Sequence, residues 1–375
     1  MIIEAYVPTR DKDFVVISII SSSSQSVRIR YDDKEIILKN PGIQFRRKFF
    51  LKTRITGLIP GTNYTFYLNQ DSFSQSVKLN TQTLPELGKK RLFRFGILAD
   101  CHLNNYQNNQ ELPEKAKRIY SKAEELCTKY IDVIKKSQAD FIVFPGDLMD
   151  YGSFPIFKQA KKIISKSGIL CYIISGNHEP YGKIPLSDFF SAFNIPGQGY
   201  YAITRDNHRL IFLHTPNQTC LDPGTEQLEW LEKELDNYAD SHNILLFSHF
   251  SLILHPCVQG IKNDGLQQIY NHHQVLTLLE KYQNVRAFIA GHKNVPSKIM
   301  QNGIMHLLTT QLIQAPCSYD LIDVYDNCLV KTTHEIDELH YLQVSRNAFG
   351  HLWPERYGEE GSRNFILKYS NQDNE

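Results

Sequence analysis

The chain has 375 residues, of which 42% are hydrophobic, so it is long enough to form a packed core and a smaller second domain. Forty-one basic residues balance forty acidic ones and leave a net charge of +1. This balance excludes a global positive field that could hold a nucleic acid, so any partner must be recognised at a local site.

The cysteines and the N-terminus indicate the compartment. Seven cysteines are scattered along the chain and never form a Cys-x-x-Cys pair, which argues against a disulfide framework or a cysteine zinc site. The first twenty residues carry mixed charges and a short apolar run, unlike a signal peptide, and no apolar run is long enough to span a bilayer. We therefore expect a reduced, soluble, cytoplasmic protein.

Residues 1–85 contain short β-prone runs separated by Ser, Asp, Asn, Pro and Gly, for example FVVISII, VRIRY and YTFYL. This pattern predicts a small all-β sandwich. The segment LIPGTNYTFYL resembles the fibronectin type III pattern, with Tyr64 at the tyrosine-corner position. Proline, glycine and lysine follow, and we place a linker over residues 86–91.

From residue 92 the pattern changes to short apolar runs alternating with helical patterns. This alternation predicts an α/β domain over residues 92–335, with strands buried on both faces of a sheet. The stretch EKAKRIYSKAEELCTKYIDVIKK (114–136) has a helical pattern, and TEQLEWLEKEL predicts a surface helix. Residues 336–375 show aromatics without a clear period, so we expect a C-terminal extension docked on this domain.

Five of the apolar runs end in residues of one chemistry. Ligands in open α/β sheets bind beyond the carboxyl ends of the strands. The residues at these ends are Asp100 and His102; Asp147 and Asp150; Asn177, His178 and Glu179; His249; and His292 and Asn294. Carboxylate, imidazole and carboxamide groups are ligands for Mn, Fe, Zn or similar divalent ions.

Each of these residues also has an ordinary structural interpretation. A histidine after a strand is more often a hydrogen-bonded residue than a ligand, and Gly-Asp is a common turn. Five such ends in one structural context favour a metal site over five separate coincidences.

The ordered motifs DxH, GDxxD, GNHE, a lone His and GHx resemble those of the calcineurin-like metallophosphoesterase superfamily, and the likeness covers about residues 92–335. The resemblance implies a four-layer αββα sandwich of two mixed sheets that holds two divalent metal ions, Mn, Fe or Zn. It also implies hydrolysis of a phosphodiester or phosphomonoester by attack of a metal-bound hydroxide.

The resemblance implies a role for each matching residue. Asp100 and His102 would bind the first metal, and Asp147 would bridge both. Asn177, His249 and His292 would complete the second site. His178 would be the general acid, which makes His178 and Asp147 the expected catalytic residues, while Asp150 and Glu179 would support the ligands.

The chain departs from the family pattern at Asn294, where a second histidine of GHxH normally binds the first metal. An amide oxygen is a weaker donor than imidazole, so we expect a weaker first site with Asn294 as a possible ligand. Three interpretations stay open: an active enzyme, a mononuclear or slow enzyme, and an inactive scaffold or binding protein of this fold. Loss of a single ligand favours the active enzyme.

The motifs also narrow the subclass. A fibronectin-like domain suggests the purple acid phosphatases, but His102 and Asp150 differ from that pattern, so the chain is closer to the cyclic-nucleotide phosphodiesterase branch. The basic run FRRKFFLKTR is interpreted as a solvated strand face, and nucleic acid is not an expected partner. We expect a small phosphate-ester substrate, selected by residues 103–113, residues 179–188 and His255.

Two further points stay open. Residues 1–85 are either structural, a lining of the cleft, or a binding module that localises the protein. His214 is either a support of the site or an ordinary hydrogen-bonded histidine. The sequence predicts no oligomeric state.

Overall fold

A computed structural model gives the fold of residues 1–39, 42–70, 76–105, 117–182, 184–215, 224–256, 269, 271–350 and 353–369.

Two antiparallel four-stranded sheets form the N-terminal sandwich, in the orders β1-β2-β6-β5 and β4-β3-β7-β8. Its strands are β1 Ile2–Arg10, β2 Phe14–Ser21, β3 Val27–Tyr31, β4 Lys34–Leu38, β5 Ile43–Phe45, β6 Lys48–Thr56, β7 Asn63–Asn69 and β8 Val77–Gln82. In β7, Tyr64, Phe66 and Leu68 are buried at every second position, so they pack between the sheets. The Tyr64 hydroxyl accepts a hydrogen bond from the Ile59 amide at 2.8 Å, as a tyrosine corner requires.

The α/β region contains two mixed six-stranded sheets, in the orders β11-β10-β9-β18-β19-β20 and β12-β13-β14-β15-β17-β16. Their strands are β9 Phe93–Ile97, β10 Phe141–Pro145, β11 Leu170–Ile174, β12 Tyr201–Arg205, β13 His208–Phe212, β14 Asn243–Ser248, β15 Val285–Ala290, β16 Ser297–Gln301, β17 Ile304–Leu308, β18 Ser318–Tyr325, β19 Cys328–Glu335 and β20 Phe365–Lys368. Strands β9, β10 and β11 are parallel in the first sheet, as are β13, β14, β15 and β17 in the second.

The described α-helices cover the outer faces of the sheets or follow them in the chain. They are α1 Ala123–Lys136, α2 Phe154–Lys166, α3 Leu186–Ala192, α4 Thr225–Tyr238, α5 His272–Leu279, α6 Leu339–Phe349, α7 Trp353–Tyr357 and α8 Glu360–Arg363. None of the helices in the described part of the chain is long and apolar enough to cross a membrane.

Alternating side chains on β14 show the layering. Leu245 and Phe247 pack in the core that includes the first sheet, whereas Ile244 and Leu246 pack with α4 and α5. On the first sheet, Gly96 faces α1, because a Cβ there would lie 2.5 Å from Ile134 Cγ2. The order of layers is therefore helix, sheet, sheet, helix, and the predicted αββα sandwich with a preceding β-sandwich is confirmed.

The helix predicted from the pattern over residues 114–136 was wrong at its N-terminal end. Helix α1 begins at Ala123, after a short 3-10 turn over Tyr120–Lys122. Before that turn the Ile119 amide donates to the Ile313 carbonyl at 2.7 Å, and Arg118 forms an isolated antiparallel bridge with Gln314. Tertiary pairing therefore overrides the helical propensity of this stretch.

The C-terminal extension contributes to the first sheet. Strand β20 pairs with β19, and three helices, α6 to α8, precede it. This segment also contacts the N-terminal sandwich: Arg363 donates to the Val7 carbonyl at 3.0 Å. The basic run of the sandwich lies at the same junction, where Lys52 donates to the Glu335 carbonyl at 2.8 Å.

Candidate metal centre

The candidate ligands follow the parallel strands of both sheets. Asp100 and His102 come after β9, Asp147 after β10 and Asn177 after β11 in the first sheet, and His249 and His292 follow β14 and β15 in the second. Carboxyl ends of parallel strands lie at one edge of a sheet, and the two sheets place those edges together. The six side chains are thereby brought into one cluster.

Three groups of possible ligand atoms lie within 4.8 Å of one another. The first contains Asp100, His102 and Asp147, the second contains Asp147, His249 and His292, and the third contains His102, Asp150 and His178. Asp147 is common to the first two, and its Oδ2 lies 3.9 Å from His102 Nε2 and 3.3 Å from His249 Nε2. The arrangement is compatible with two adjoining cation sites that share this carboxylate.

Neighbouring groups orient the donors. His249 Nδ1 lies 2.9 Å from the Pro145 carbonyl, which can accept its proton and leave Nε2 directed at Asp147 and at Asn177 Oδ1, 3.0 Å away. His102 Nδ1 lies 2.9 Å from Asp150 Oδ1, and the Asn177 amide nitrogen donates to the Tyr181 hydroxyl at 2.9 Å. These contacts orient the ligand side chains, and His102 Nε2 is left without a hydrogen-bond partner.

Several buried polar atoms of the cluster have no hydrogen-bond partner: Asp100 Oδ1, His102 Nε2 and His292 Nε2. Such atoms cost free energy in a protein interior unless a ligand satisfies them. They are the atom types that bind divalent cations, so the residues present fit a metal centre.

Asn294 has different contacts from the other six candidates. Its amide nitrogen donates to the His292 carbonyl at 2.8 Å, and its Oδ1 is buried without a partner. The amide oxygen is thus available as a neutral donor.

The backbone at the centre is held in an unusual conformation. Five non-glycine residues have φ between +45° and +64°: Asp100, His102, Asp147, His292 and Asn294. Side chains make the left-handed region costly, and residues held there concentrate at functional sites.

Glycines permit the close approach of the loops. A Cβ at Gly176 would lie 2.2 Å from Asp147 Oδ1, and one at Gly146 would lie 2.2 Å from His249 Nδ1. Any side chain at these positions would displace a ligand, which explains the glycines in the motifs GD and GNH.

Glu179 connects two of the loops. Its carboxylate accepts hydrogen bonds from the amides of Asp147 at 3.1 Å, Met149 at 2.9 Å and Gly176 at 2.6 Å. The side chain is 2% exposed, so it acts as an internal clasp and has no free face for a substrate.

The electrostatics of the cluster favour cations. Burial raises the pKa of Asp100 to about 7, and repulsion from Asp147 adds to the rise. Burial opposes ionisation of Asp147 as well, but His249 and His178 hold its pKa well below the usual range. Burial opposes protonation of His249, yet the two aspartates raise its pKa to about 9. A cation bound beside Asp147 would displace that imidazole proton, so metal binding is linked to proton release.

His178 lies at the open side of the cluster. Its side chain is 20% exposed, whereas those of His102 and His249 are 0% exposed. Nδ1 lies 3.1 Å from Asp150 Oδ1 and 3.0 Å from the Asp150 carbonyl, and the His178 amide donates to Asp147 Oδ1 at 2.9 Å. Burial lowers its pKa, but Asp147 and Asp150 outweigh that effect and raise it above the ordinary value.

The structure describes only some of the residues that were expected to select the substrate. Residues 106–113 and Lys183 lie outside the described residues. His255 is buried, with Nδ1 2.9 Å from Ser297 Oγ, and His214 Nδ1 lies 2.7 Å from Ser175 Oγ, directly before Gly176.

Sequence reasoning missed two polar residues at the rim. Arg118 belongs to the stretch that was interpreted as helix, and Gln311 donates to the Asp100 carbonyl at 3.0 Å from a loop without a motif. Neither residue carries a local sequence signal, because both reach the site through pairing between distant segments.

Known proteins are similar to this chain in sequence and in fold. A model of the calcineurin-like phosphoesterase family matches residues 93–296. A probable glycerophosphodiester phosphodiesterase of Arcobacter nitrofigilis is 28% identical over 191 residues, which are 48% of this chain and 66% of that protein, just under two thirds of its length. The 3′,5′-cyclic adenosine monophosphate phosphodiesterase of Escherichia coli K12 is 24% identical over 231 residues, 60% of this chain and 78% of that protein.

A solved structure is similar in fold. The crystal structure of a dimetal phosphatase from Danio rerio has a TM-score of 0.56 at 17% identity, and the match covers 75% of this chain and 100% of that one. The family match extends over more than half of the chain and includes every candidate ligand from Asp100 to Asn294, so the chain belongs to the calcineurin-like phosphoesterase family.

Proposed function

We propose that this protein is a metal-dependent phosphoester hydrolase that acts on a small phosphate ester. The observation that carries the proposal is the Asp147 carboxylate, which is common to two adjoining clusters of buried ligand atoms. The phosphodiesterase relatives support the same class of reaction.

The donor set suggests how two divalent cations would be held. Asp100, His102 and Asp147 would bind the first, with the Asn294 amide oxygen as a further donor. Asp147, Asn177, His249 and His292 would bind the second. When bound, such cations would supply Lewis-acid activation of a water molecule and would offset negative charge on the phosphate group.

His178 is suited to protonate the leaving oxygen. Its side chain is partly exposed, and Asp150 holds its Nδ1, which leaves Nε2 on the side of Asp147, 3.9 Å from Oδ2. Alkoxide is a poor leaving group, so a positioned acid at this place accelerates cleavage.

The test combines metal content with hydrolysis of p-nitrophenyl phosphate and bis-p-nitrophenyl phosphate under added Mn. We expect turnover that rises with Mn and is lost in Asp147→Asn, while the control Asp132→Asn, at an exposed position of α1, behaves like the wild type. Bound metal without turnover of either ester, or turnover unaffected by Asp147→Asn, would refute the proposal. Absence of both metal and turnover would favour the scaffold interpretation.

A further inference from the structure

Arg118 is a half-buried cation at the rim of the metal centre, and its Nε atom is buried. Backbone pairing fixes the segment that carries it. The Ile119 amide donates to the Ile313 carbonyl at 2.7 Å, and the backbone of Arg118 forms an isolated β-bridge with Gln314. Asn104 adds a cross-link, because its amide nitrogen donates to the carbonyls of His102 at 2.9 Å and Tyr120 at 2.8 Å. The segment is thereby tied to the DxH loop.

The guanidinium has few partners for its five donors. Nη1 donates to the Tyr120 hydroxyl at 3.1 Å, and Nε is buried without a partner. No carboxylate among the described residues forms an ion pair with it. A half-buried guanidinium with no carboxylate in ion-pair contact keeps unused donors, so a fixed arginine of this kind is expected to meet an anion that arrives from outside.

The charge of Arg118 reaches the candidate ligands. Burial opposes protonation of Arg118, but Tyr120 and the carboxylates of Asp100 and Asp147 outweigh that effect and raise its pKa. The Tyr120 ring lies 6.2 Å from the His102 ring, which puts the arginine's hydrogen-bond partner beside the first cluster.

We propose that Arg118 binds an oxygen of the substrate's phosphate group and makes the site prefer phosphate groups with two negative charges. This inference rests on the proposed function, since it names a residue and a charge class for the same site. The planar guanidinium offers paired N–H donors that match a phosphate, and a dianion gains more from the added positive charge than a diester monoanion.

The test measures phosphate binding separately from turnover. Inorganic phosphate would be titrated calorimetrically into Mn-loaded wild type, Arg118→Gln, Arg118→Lys and Arg205→Gln, the last being a matched control on an exposed strand. KM and kcat for p-nitrophenyl phosphate and bis-p-nitrophenyl phosphate would be measured alongside. Metal content and thermal melting would show whether each variant is folded and loaded.

For Arg118→Gln we expect phosphate to bind about ten- to a hundredfold more weakly, and KM for the monoester to rise by a similar factor. This is the usual contribution of a hydrogen bond to a charged group. The diester KM should change less, Arg118→Lys should recover part of the loss, and Arg205→Gln should match the wild type.

The outcomes separate this inference from the proposed function. Unchanged phosphate affinity in a folded, metal-loaded Arg118→Gln variant would overturn the role of Arg118, even if the wild type is an active hydrolase. An equal loss for monoester and diester would overturn the charge preference. Arg118-dependent phosphate binding in a wild type without turnover would support the inference and refute the proposed function.

Discussion

At the scale of single residues, Asn294 stands where the resemblance to the family leads us to expect a histidine. Its side-chain oxygen is buried and unpartnered, and its φ of +59° is one that both asparagine and histidine tolerate better than most residues. The backbone conformation at position 294 is therefore one in which either donor could be presented.

Restoring histidine should strengthen the first metal site. Imidazole is a stronger donor than a neutral amide, so Asn294→His is expected to bind the weaker of two Mn ions about tenfold more tightly or better. Competition with a chromophoric chelator measures both affinities. Asn294→Ala is the companion variant, and identical Mn affinities in all three proteins would mean that position 294 does not reach the cation.

The loss of activity on replacing His178 should depend on the leaving group of the ester. His178→Gln should lower kcat by about 10²–10⁴-fold for an alkyl ester such as glycerol phosphate, the range of general acid catalysis. The loss should be much smaller for p-nitrophenyl phosphate, whose leaving group is stable without a proton. Metal content should be unchanged. An equal loss with both esters would assign His178 to substrate or metal binding instead of proton transfer.

At the scale of secondary-structure elements, the loops after β10 and β11 are linked through Glu179. The variant Glu179→Gln replaces one acceptor oxygen with a donor that faces backbone amides, so it should lower the free energy of unfolding by about 1–3 kcal/mol. Urea unfolding of the metal-free protein measures this loss. Glu226→Gln, on the exposed side of α4, serves as control, and equal stability of the two variants would contradict the role of Glu179 as a clasp.

The same elements show what the sequence could predict. Runs such as ILLFS before His249 are recognisable because a strand buried on both faces is apolar throughout, and ligands must follow it at the sheet edge. Arg118 was not predictable in the same way. Its stretch has a helical pattern, and only pairing with residues about two hundred positions away makes it extended. Local patterns thus predict strand ends but not contacts made across the fold.

At the scale of the whole molecule, buried histidines link stability to pH. His208 is buried on β13, with Nε2 2.9 Å from the Tyr369 hydroxyl, and burial lowers its pKa to about 4. The unfolded chain takes up a proton near pH 6.5 and the folded chain does so only near 4, so stability falls as pH decreases through this window.

Replacing this histidine should remove part of the acid sensitivity. Between pH 7.5 and 4.5, His208→Gln should lose less unfolding free energy than the wild type, by at most about 3 kcal/mol. Urea titrations at both pH values give the difference. His273→Gln, at an exposed position, should show the same dependence of stability on pH as the wild type. If His208→Gln also matched the wild type, groups other than His208 would be responsible for the acid sensitivity.

The sandwich and the phosphoesterase region share a buried polar junction. Glu335 ends β19 at the same sheet edge as the metal loops, because Ser318 pairs with Glu335 and Asp320 pairs with Ile97. Its carboxylate accepts from the hydroxyls of Tyr6 at 3.1 Å, Ser18 at 3.0 Å and Tyr357 at 3.3 Å. These contacts favour a structural role for residues 1–85 over that of an independent binding module.

Removing this carboxylate should uncouple the two parts. Glu335→Ala leaves three buried hydroxyls without their acceptor, so we expect a loss of about 2–4 kcal/mol and a change from one calorimetric transition to two. Glu335→Gln keeps one acceptor oxygen, so its free energy of unfolding should lie between those of Glu335→Ala and the wild type. Glu86→Ala breaks an exposed pair with Lys12 and should cost less than about 1 kcal/mol. Two separate transitions already present in the wild type would mean that the junction does not couple the domains, because the sandwich would then unfold without affecting the sheet that holds the metal loops.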